Sequence, residues 1–287
     1  MTIAAPPLPD GATALELHIT SGRIAACSFG SSDAPLILCV HGLSANQRSY
    51  DVIAPRLAAQ GRRVVAIDLR GRGYSEVTPP GTYGWDAHAA DVLEIATALD
   101  APMFDLVGHS MGGYVSMIAA ARQPERIRRL VLIDIAGRPE PDSTPPIVAA
   151  VERLGVVQPS VDAYIAKIRA TAAIDVWSEK WERYFAYELR ETEGGVVSRT
   201  SRDAVVEDMS HGASHDIETV WPLLRMPTLL VRAGRPILPG LGYVVSAADR
   251  DRFVKTAPDA RAVDIDANHY GVVMHEDTVR ALEAFLR

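Results

Sequence analysis

The stretch Phe104-Asp105-Leu106-Val107-Gly108-His109-Ser110-Met111-Gly112-Gly113-Tyr114 decides the fold. A strand-like run leads into Gly-x-Ser-x-Gly, and a helical stretch from Met111 to Arg122 follows it. The spacing has a steric cause. A serine held in a sharp strand-to-helix turn needs small residues two before and two after it, so that strand and helix pass closely. The turn lifts the hydroxyl out of the sheet and sets it over the positive end of the helix, where negative charge is stabilised. A Gly-x-Ser-x-Gly string also arises by chance, but the flanking strand and helix supply its context here, and Ser110 reads as a nucleophile.

Outward from that turn, β-rich runs alternate with helical ones, the pattern of a largely parallel sheet covered on both faces. Strands are expected at Leu15-Thr20, Arg23-Ser28, Leu36-Val40, Val64-Asp68, Phe104-Val107, Leu130-Ile133, Thr228-Arg232 and Ala262-Ile265, the first pair antiparallel. Helices are expected at Gln47-Gln60, Trp85-Leu99, Met111-Arg122, Ala247-Thr256 and His275-Leu286. From Arg138 to Asp216 the alternation stops. This segment, opening with Pro139, Pro141, Pro145 and Pro146, reads as a helical cap (138–216) inserted after the sixth strand of a core made of 1–137 and 217–287. Its rings Trp177, Trp181, Tyr184, Phe185 and Tyr187 either pack a small core of their own or face a substrate. Trp177, Trp181 and Tyr184, with His215 at the cap's end, are the candidates for the second role.

Composition narrows the function classes. A chain of 287 residues, 48% of them hydrophobic, buries a full core and suits one domain with an insertion. A net charge of -7 argues against a nucleic-acid surface. The apolar run Leu36 to Val40 is far short of the ~20 residues that cross a bilayer, so no membrane partner is expected. Met1 to Gly11 lacks the features of a secretory leader and reads as a loose tail. Cys27 and Cys39 lie in apolar strand-like stretches, which favours buried free thiols and a cytoplasmic location.

A second signal is Leu36-Ile37-Leu38-Cys39-Val40-His41-Gly42-Leu43, a buried strand ending in His-Gly. Acyl transfer builds negative charge on a carbonyl oxygen, and aimed backbone N–H groups stabilise it by about 3 kcal/mol each. Met111 and Leu43 are the expected donors. His41, beside that loop, reads as structural.

With Asp68-Leu69-Arg70-Gly71-Arg72-Gly73-Tyr74-Ser75, these motifs make the chain resemble the α/β-hydrolase superfamily from about residue 14 to the end. Asp68 reads as a turn-stabilising residue. Arg72 stands where the family frequently has the histidine of Gly-His-Gly, a change expected to bear on packing. The resemblance implies an eight-stranded, mostly parallel α/β-hydrolase sheet, and a catalytic histidine in the loop after the last strand. Asp264-Ile265-Asp266-Ala267-Asn268-His269-Tyr270 puts His269 there, with Tyr270 beside it as a pocket candidate. His109 reads as a hydrogen-bonded neighbour of the nucleophile, and His18, His88 and His275 as surface or capping residues.

The acid departs from the usual pattern. In most relatives it follows the seventh strand, where this chain reads Arg235-Pro236-Ile237-Leu238-Pro239-Gly240, without a carboxylate. A variation in the superfamily moves it to the end of the sixth strand, and Arg129-Leu130-Val131-Leu132-Ile133-Asp134 offers Asp134, with Asp216 and Asp266 as alternatives. Arg235 is a candidate clamp for a substrate carboxylate.

The expected activity is hydrolysis of a small or medium carboxylic ester, a small-molecule acyl substrate, through an acyl-enzyme, without metal or cofactor. Amide, lactone or C–C hydrolysis is the alternative, since Val245-Ser246-Ala247-Ala248 and Asn268-His269-Tyr270 carry a weak resemblance to (E)-2-(acetamidomethylene)succinate hydrolase. A non-catalytic ligand sensor is the third class. Relatives with an aspartate nucleophile, the haloalkane dehalogenases and epoxide hydrolases, are disfavoured by the serine.

Overall fold

The computed structural model describes residues 7–287, so most of the Met1 to Gly11 tail expected from the sequence lies outside the described residues. The chain opens with an antiparallel hairpin, β1 (Ala12–Ile19) and β2 (Gly22–Phe29), and then enters the sheet centre through β3 (Leu36–Val40). There follow α1 (Ile53–Ala58), β4 (Arg63–Ile67), α2 (Trp85–Ala98), β5 (Phe104–His109), α3 (Met111–Arg122) and β6 (Ile127–Ile133). Next come α4 (Thr144–Glu152), α5 (Val161–Ala170), α6 (Glu179–Tyr187), β7 (Leu189–Thr192), β8 (Gly195–Ser198) and α7 (Arg202–Ala213). The chain returns through β9 (Thr228–Ala233), α8 (Ala247–Thr256), β10 (Ala260–Ile265) and α9 (Glu276–Phe285).

Eight strands form one sheet in the order β1-β2-β4-β3-β5-β6-β9-β10, parallel from β4 to β10 and antiparallel at β1-β2-β4. Every residue of β3 is buried, because helices cover both faces. Alternate side chains go to opposite layers. Leu36, Leu38 and Val40 pack with α2 and α3, whereas Ile37 and Cys39 pack with α1 and α9. Cys27 and Cys39 are both free and buried, and each is in register with Ala66 of the strand between them. Two strand spacings, about 9–10 Å, exceed the reach of a disulfide.

Two expectations are corrected. The single helix foreseen over Gln47-Gln60 is broken into a short 3-10 turn at Gln47–Tyr50 and α1. Asn46 caps the first piece by accepting the Arg48 N–H, and Pro55, with no N–H and a ring that crowds the preceding turn, fits only near a helix start. The inserted segment is not all helix either: β7 and β8 form a hairpin. Gly194 (φ 82°) and Gly195 (φ 146°) take the left-handed conformations at its bend. No helix among the described residues is long and apolar enough to cross a membrane.

Candidate active site

Ser110 sits between β5 and α3 with φ 53° and ψ -127°, a conformation that side chains rarely adopt. The surroundings enforce it. A Cβ on Gly108 would stand 2.3 Å from the Gly112 carbonyl oxygen, and one on Gly112 would stand 2.1 Å from that of Val40. The Ser110 N–H donates to the Ile133 carbonyl at 3.1 Å, and its own carbonyl accepts from the Gly113 N–H at 2.8 Å. The hydroxyl therefore stands on a rigid corner.

The loop after β10 brings in His269. The Asn268 side chain shapes this loop, accepting from the Gly271 N–H at 2.9 Å and donating to the Ala173 carbonyl at 2.9 Å. His269 Nε2 lies 3.1 Å from Ser110 Oγ, and its Nδ1 lies 2.8 Å from Asp134 Oδ2. Asp134 directly follows β6 at φ 47°, which aspartate tolerates better than most residues. Its other oxygen accepts the Ala233 N–H at 2.9 Å, and its N–H donates to the Val231 carbonyl at 2.7 Å. Because β6 and β9 are neighbours, with Ile133 beside Val231, a carboxylate at either strand end can meet the same imidazole. The alternatives are elsewhere: Asp216 caps a 3-10 turn at Glu218, and Asp266 is exposed and pairs with Arg235.

Backing residues hold this relay. His109 Nε2 donates to the His269 carbonyl at 3.1 Å, and burial pushes the His109 imidazole well below its ordinary range, so it stays neutral. Leu43 and Met111 line the same cavity as Ser110, and among the described residues neither N–H has a backbone acceptor. His41 Nδ1 donates to the Gly42 carbonyl at 2.8 Å and its Nε2 accepts the Leu69 N–H at 3.0 Å. Burial lowers this imidazole to about 3, which keeps it neutral and fits the structural reading. Asp68 accepts the N–H groups of Gln47 (2.8 Å) and Tyr74 (3.0 Å) and the Tyr187 hydroxyl (2.6 Å).

Arg72 does more than pack. Wholly buried, it donates through Nε to the Leu43 carbonyl at 3.0 Å and through Nη1 to the Arg70 carbonyl at 2.9 Å, and its Nη2 pairs with Asp208 of α7. Asp208 also accepts the Gly84 N–H at 2.7 Å and lies 3.1 Å from His88 Nε2. His88, expected at the surface or at a cap, is therefore corrected to a fully buried member of this network. His275 does cap α9, accepting the Asp277 N–H, and His18 is largely exposed.

Ser110 opens into a cavity of about 580 Å³, walled largely by apolar side chains such as Leu43, Met111, Ile135, Ile147, Phe185 and Leu238. Of the expected lining residues, Trp181, Tyr184, His215 and Tyr270 are in its wall. Two are not. Trp177 stacks on Phe185, ring centres 5.8 Å apart, and so stands behind the wall. Arg235 is turned to Asp266 in a two-pronged pair (2.6 and 2.8 Å) and to Asp175 (3.2 Å). Its guanidinium is thus occupied outside the cavity. Arg235→Ala is expected to leave kcat/KM unchanged for carboxylate-bearing and neutral substrates alike; a selective loss on the former would restore the clamp. Sequence reading missed Arg138 and Arg153, the two arginines that do line the cavity. Arg153 is bonded to Glu188 and the Tyr164 hydroxyl, whereas Arg138 has no carboxylate partner among the described residues. Nothing in their local sequence marks them, since the cavity forms only when the inserted segment folds over the sheet.

Comparison with known proteins agrees with this architecture. Residues 35–234 match the α/β hydrolase fold family. The chain belongs to the α/β-hydrolase family. That match to the α/β-hydrolase fold stops before β10 and so does not include His269, which the structure places 3.1 Å from Ser110 Oγ. The N-formylmaleamate deformylase of Pseudomonas putida is 30% identical over 243 residues, 83% of this chain and 82% of that one. The 2-(acetamidomethylene)succinate hydrolase of Mesorhizobium japonicum is 27% identical over 274 residues, 94% of each. The crystal structure of E-2-(acetamidomethylene)succinate hydrolase shares the fold, with a TM-score of 0.85 at 24% identity over 96% of this α/β-hydrolase and 99% of that chain. Other relatives are matched only in part: a serine hydrolase-like protein of Dictyostelium discoideum is 36% identical over 127 residues, 43% of this chain and 35% of its own length.

Proposed function

We propose that this α/β-hydrolase cleaves small or medium carboxylic esters through an acyl-enzyme on Ser110. Ser110 Oγ attacks the ester carbonyl while His269 Nε2 takes its proton, and Asp134 stabilises the imidazolium that forms. The N–H groups of Leu43 and Met111 receive the oxyanion. Collapse expels the alcohol, which takes the proton from His269; water, deprotonated by the same imidazole, then attacks the acyl-enzyme and frees the acid and the serine. The segment 138–216 acts as the lid. A cytoplasmic small molecule, with neither nucleic acid nor membrane as partner, is the substrate in this reading.

The observation that carries the proposal is the unbroken relay from Ser110 Oγ to Asp134, 3.1 and 2.8 Å, opening on an apolar cavity of about 580 Å³. Apolar walls suit ester groups better than charged ones. A second reading, hydrolysis of an amide in a carboxylate-bearing compound, is favoured by the deformylase and the succinate hydrolase among the relatives and by Arg138 in the cavity wall. A fluorophosphonate probe followed by peptide mass analysis tests both: one equivalent on Ser110 is expected, and no labelling sinks both readings. A panel of p-nitrophenyl esters set against N-acyl enamines bearing carboxylates then separates them. Turnover confined to the second group overturns the ester assignment.

A further inference from the structure

Beside the cavity, which one of them lines, three side chains outside the relay converge on one point. Asp86 lies in the first turn of α2; His211 is in the last turn of α7, and His215 stands one helical turn beyond it, on the same side. His211 Nε2 and His215 Nε2 are each 3.2 Å from Asp86 Oδ2. The three donor atoms all lie within 4.8 Å of one another. We propose that Asp86, His211 and His215 form a binding site for a divalent transition-metal ion of the zinc class.

The hydrogen bonds around His215 and Asp86 leave their facing atoms open to a cation. His215 Nδ1 donates to the His211 carbonyl at 2.8 Å, which leaves its Nε2 presenting a lone pair toward a carboxylate oxygen. Two acceptors at 3.2 Å repel unless a proton or a metal ion lies between them, and the site takes the metal when the ring is neutral. A backbone carbonyl on the far ring nitrogen is also the arrangement that orients metal-binding imidazoles. Asp86 is aimed in the same way: Arg122 pairs with Oδ1 and donates to the Asp86 carbonyl at 2.8 Å, leaving Oδ2 to the histidines. Donors that bind zinc at about 2.0–2.2 Å in a tetrahedron stand about 3.3 Å apart, close to the spacing here. The two rings now lie face to face, 3.7 Å between centres, so sharing a metal requires one of them to turn. His211 is the one to turn: its Nδ1 accepts a long 3.3 Å bond from the Trp85 N–H, which leaves the neutral ring's proton on Nε2 toward Asp86, so metal binding releases that bond or displaces that proton.

Two imidazoles and one carboxylate select zinc, cobalt, nickel or copper over magnesium or calcium, which take oxygen ligands. The site ties the start of α2, in the core, to the end of α7, in the inserted segment. His215 also lines the cavity, so a bound ion would brace part of the wall of the cavity that holds Ser110. This inference does not depend on the ester assignment.

The test is zinc binding to the full chain, stripped of metal, by calorimetry at neutral pH. One Zn²⁺ per chain is expected, with Co²⁺ at the same site giving visible absorption bands. His215→Ala and Asp86→Asn are each expected to weaken Zn²⁺ affinity at least about tenfold. Absence of stoichiometric uptake, or affinity unchanged in both variants, overturns the proposal; so does a pair of rings that share the carboxylate through a proton and take up no metal. Should the variants fail to fold, histidine ring NMR of the native chain still decides, because zinc that leaves the His211 and His215 signals unshifted is bound elsewhere.

Discussion

Replacing Asp134 by Asn is expected to leave the chain folded and to lower kcat by about 10⁴-fold, with little change in KM. The size of the effect follows from where the second oxygen goes. Asp134 Oδ1 accepts the Ala233 N–H at 2.9 Å, so an asparagine keeps its carbonyl oxygen there and is forced to present its NH₂ to His269 Nδ1. The imidazole then has to accept at Nδ1 and carry its proton on Nε2, facing Ser110 Oγ, where a base is needed. Both partners stay in place and the proton is on the wrong nitrogen. Single-turnover kinetics with an activated ester, alongside denaturant unfolding, check the split between chemistry and stability. A loss below about tenfold with the fold intact means that Asp134 does not set the tautomer, and the displaced-acid reading falls.

The placement of Asp134 beside His269 was expected from the resemblance together with the empty usual loop. Asp134 directly follows a strand, the loop after Thr228–Ala233 lacks a carboxylate, and the two strands lie side by side once the sheet is assembled. The elbow was legible because its information is local, since Gly108, Ser110 and Gly112 meet within one turn. The hairpin of β7 and β8 left a signal that helical reading overrode: Glu193-Gly194-Gly195 before Val196-Val197 is a turn followed by β-branched residues. Other features left no local trace. Trp177 and Trp181 share one aromatic run, yet only the second reaches the cavity, because Phe185 stacks between the first and the wall. Arg235 stands in the right loop for a clamp, but Asp266, brought beside it by the neighbouring strand, takes its guanidinium.

The buried pair of Arg72 and Asp208 is expected to give the largest stability loss: Asp208→Asn should lower the free energy of unfolding by about 3–5 kcal/mol, because it strands a charge that water cannot reach. A domain of this kind has only about 5–15 kcal/mol in total, so the unfolding midpoint in urea should fall steeply. Burial works to raise the Asp208 carboxyl, but Arg72 and His88 outweigh it and hold it well below the carboxylate range. The sign of the pH effect follows. A carboxyl depressed on folding stabilises the native state fully above its unfolded value, about 3.9, and that stability drains away as pH falls toward the folded value. Native protein should therefore lose stability on acidification below about pH 4, and the asparagine variant should lose less. Replacing both partners with apolar residues is expected to recover only part of the loss. Arg72 also serves the Leu43 and Arg70 carbonyls, which would be left buried without a donor. The Leu43 bond carries the consequence to chemistry: freeing that carbonyl loosens the loop that carries Leu43 along the cavity wall, and with the Leu43 N–H as a proposed oxyanion donor Arg72→Met should reduce kcat more than it raises KM. Equal changes in both would place Arg72 in the packing alone.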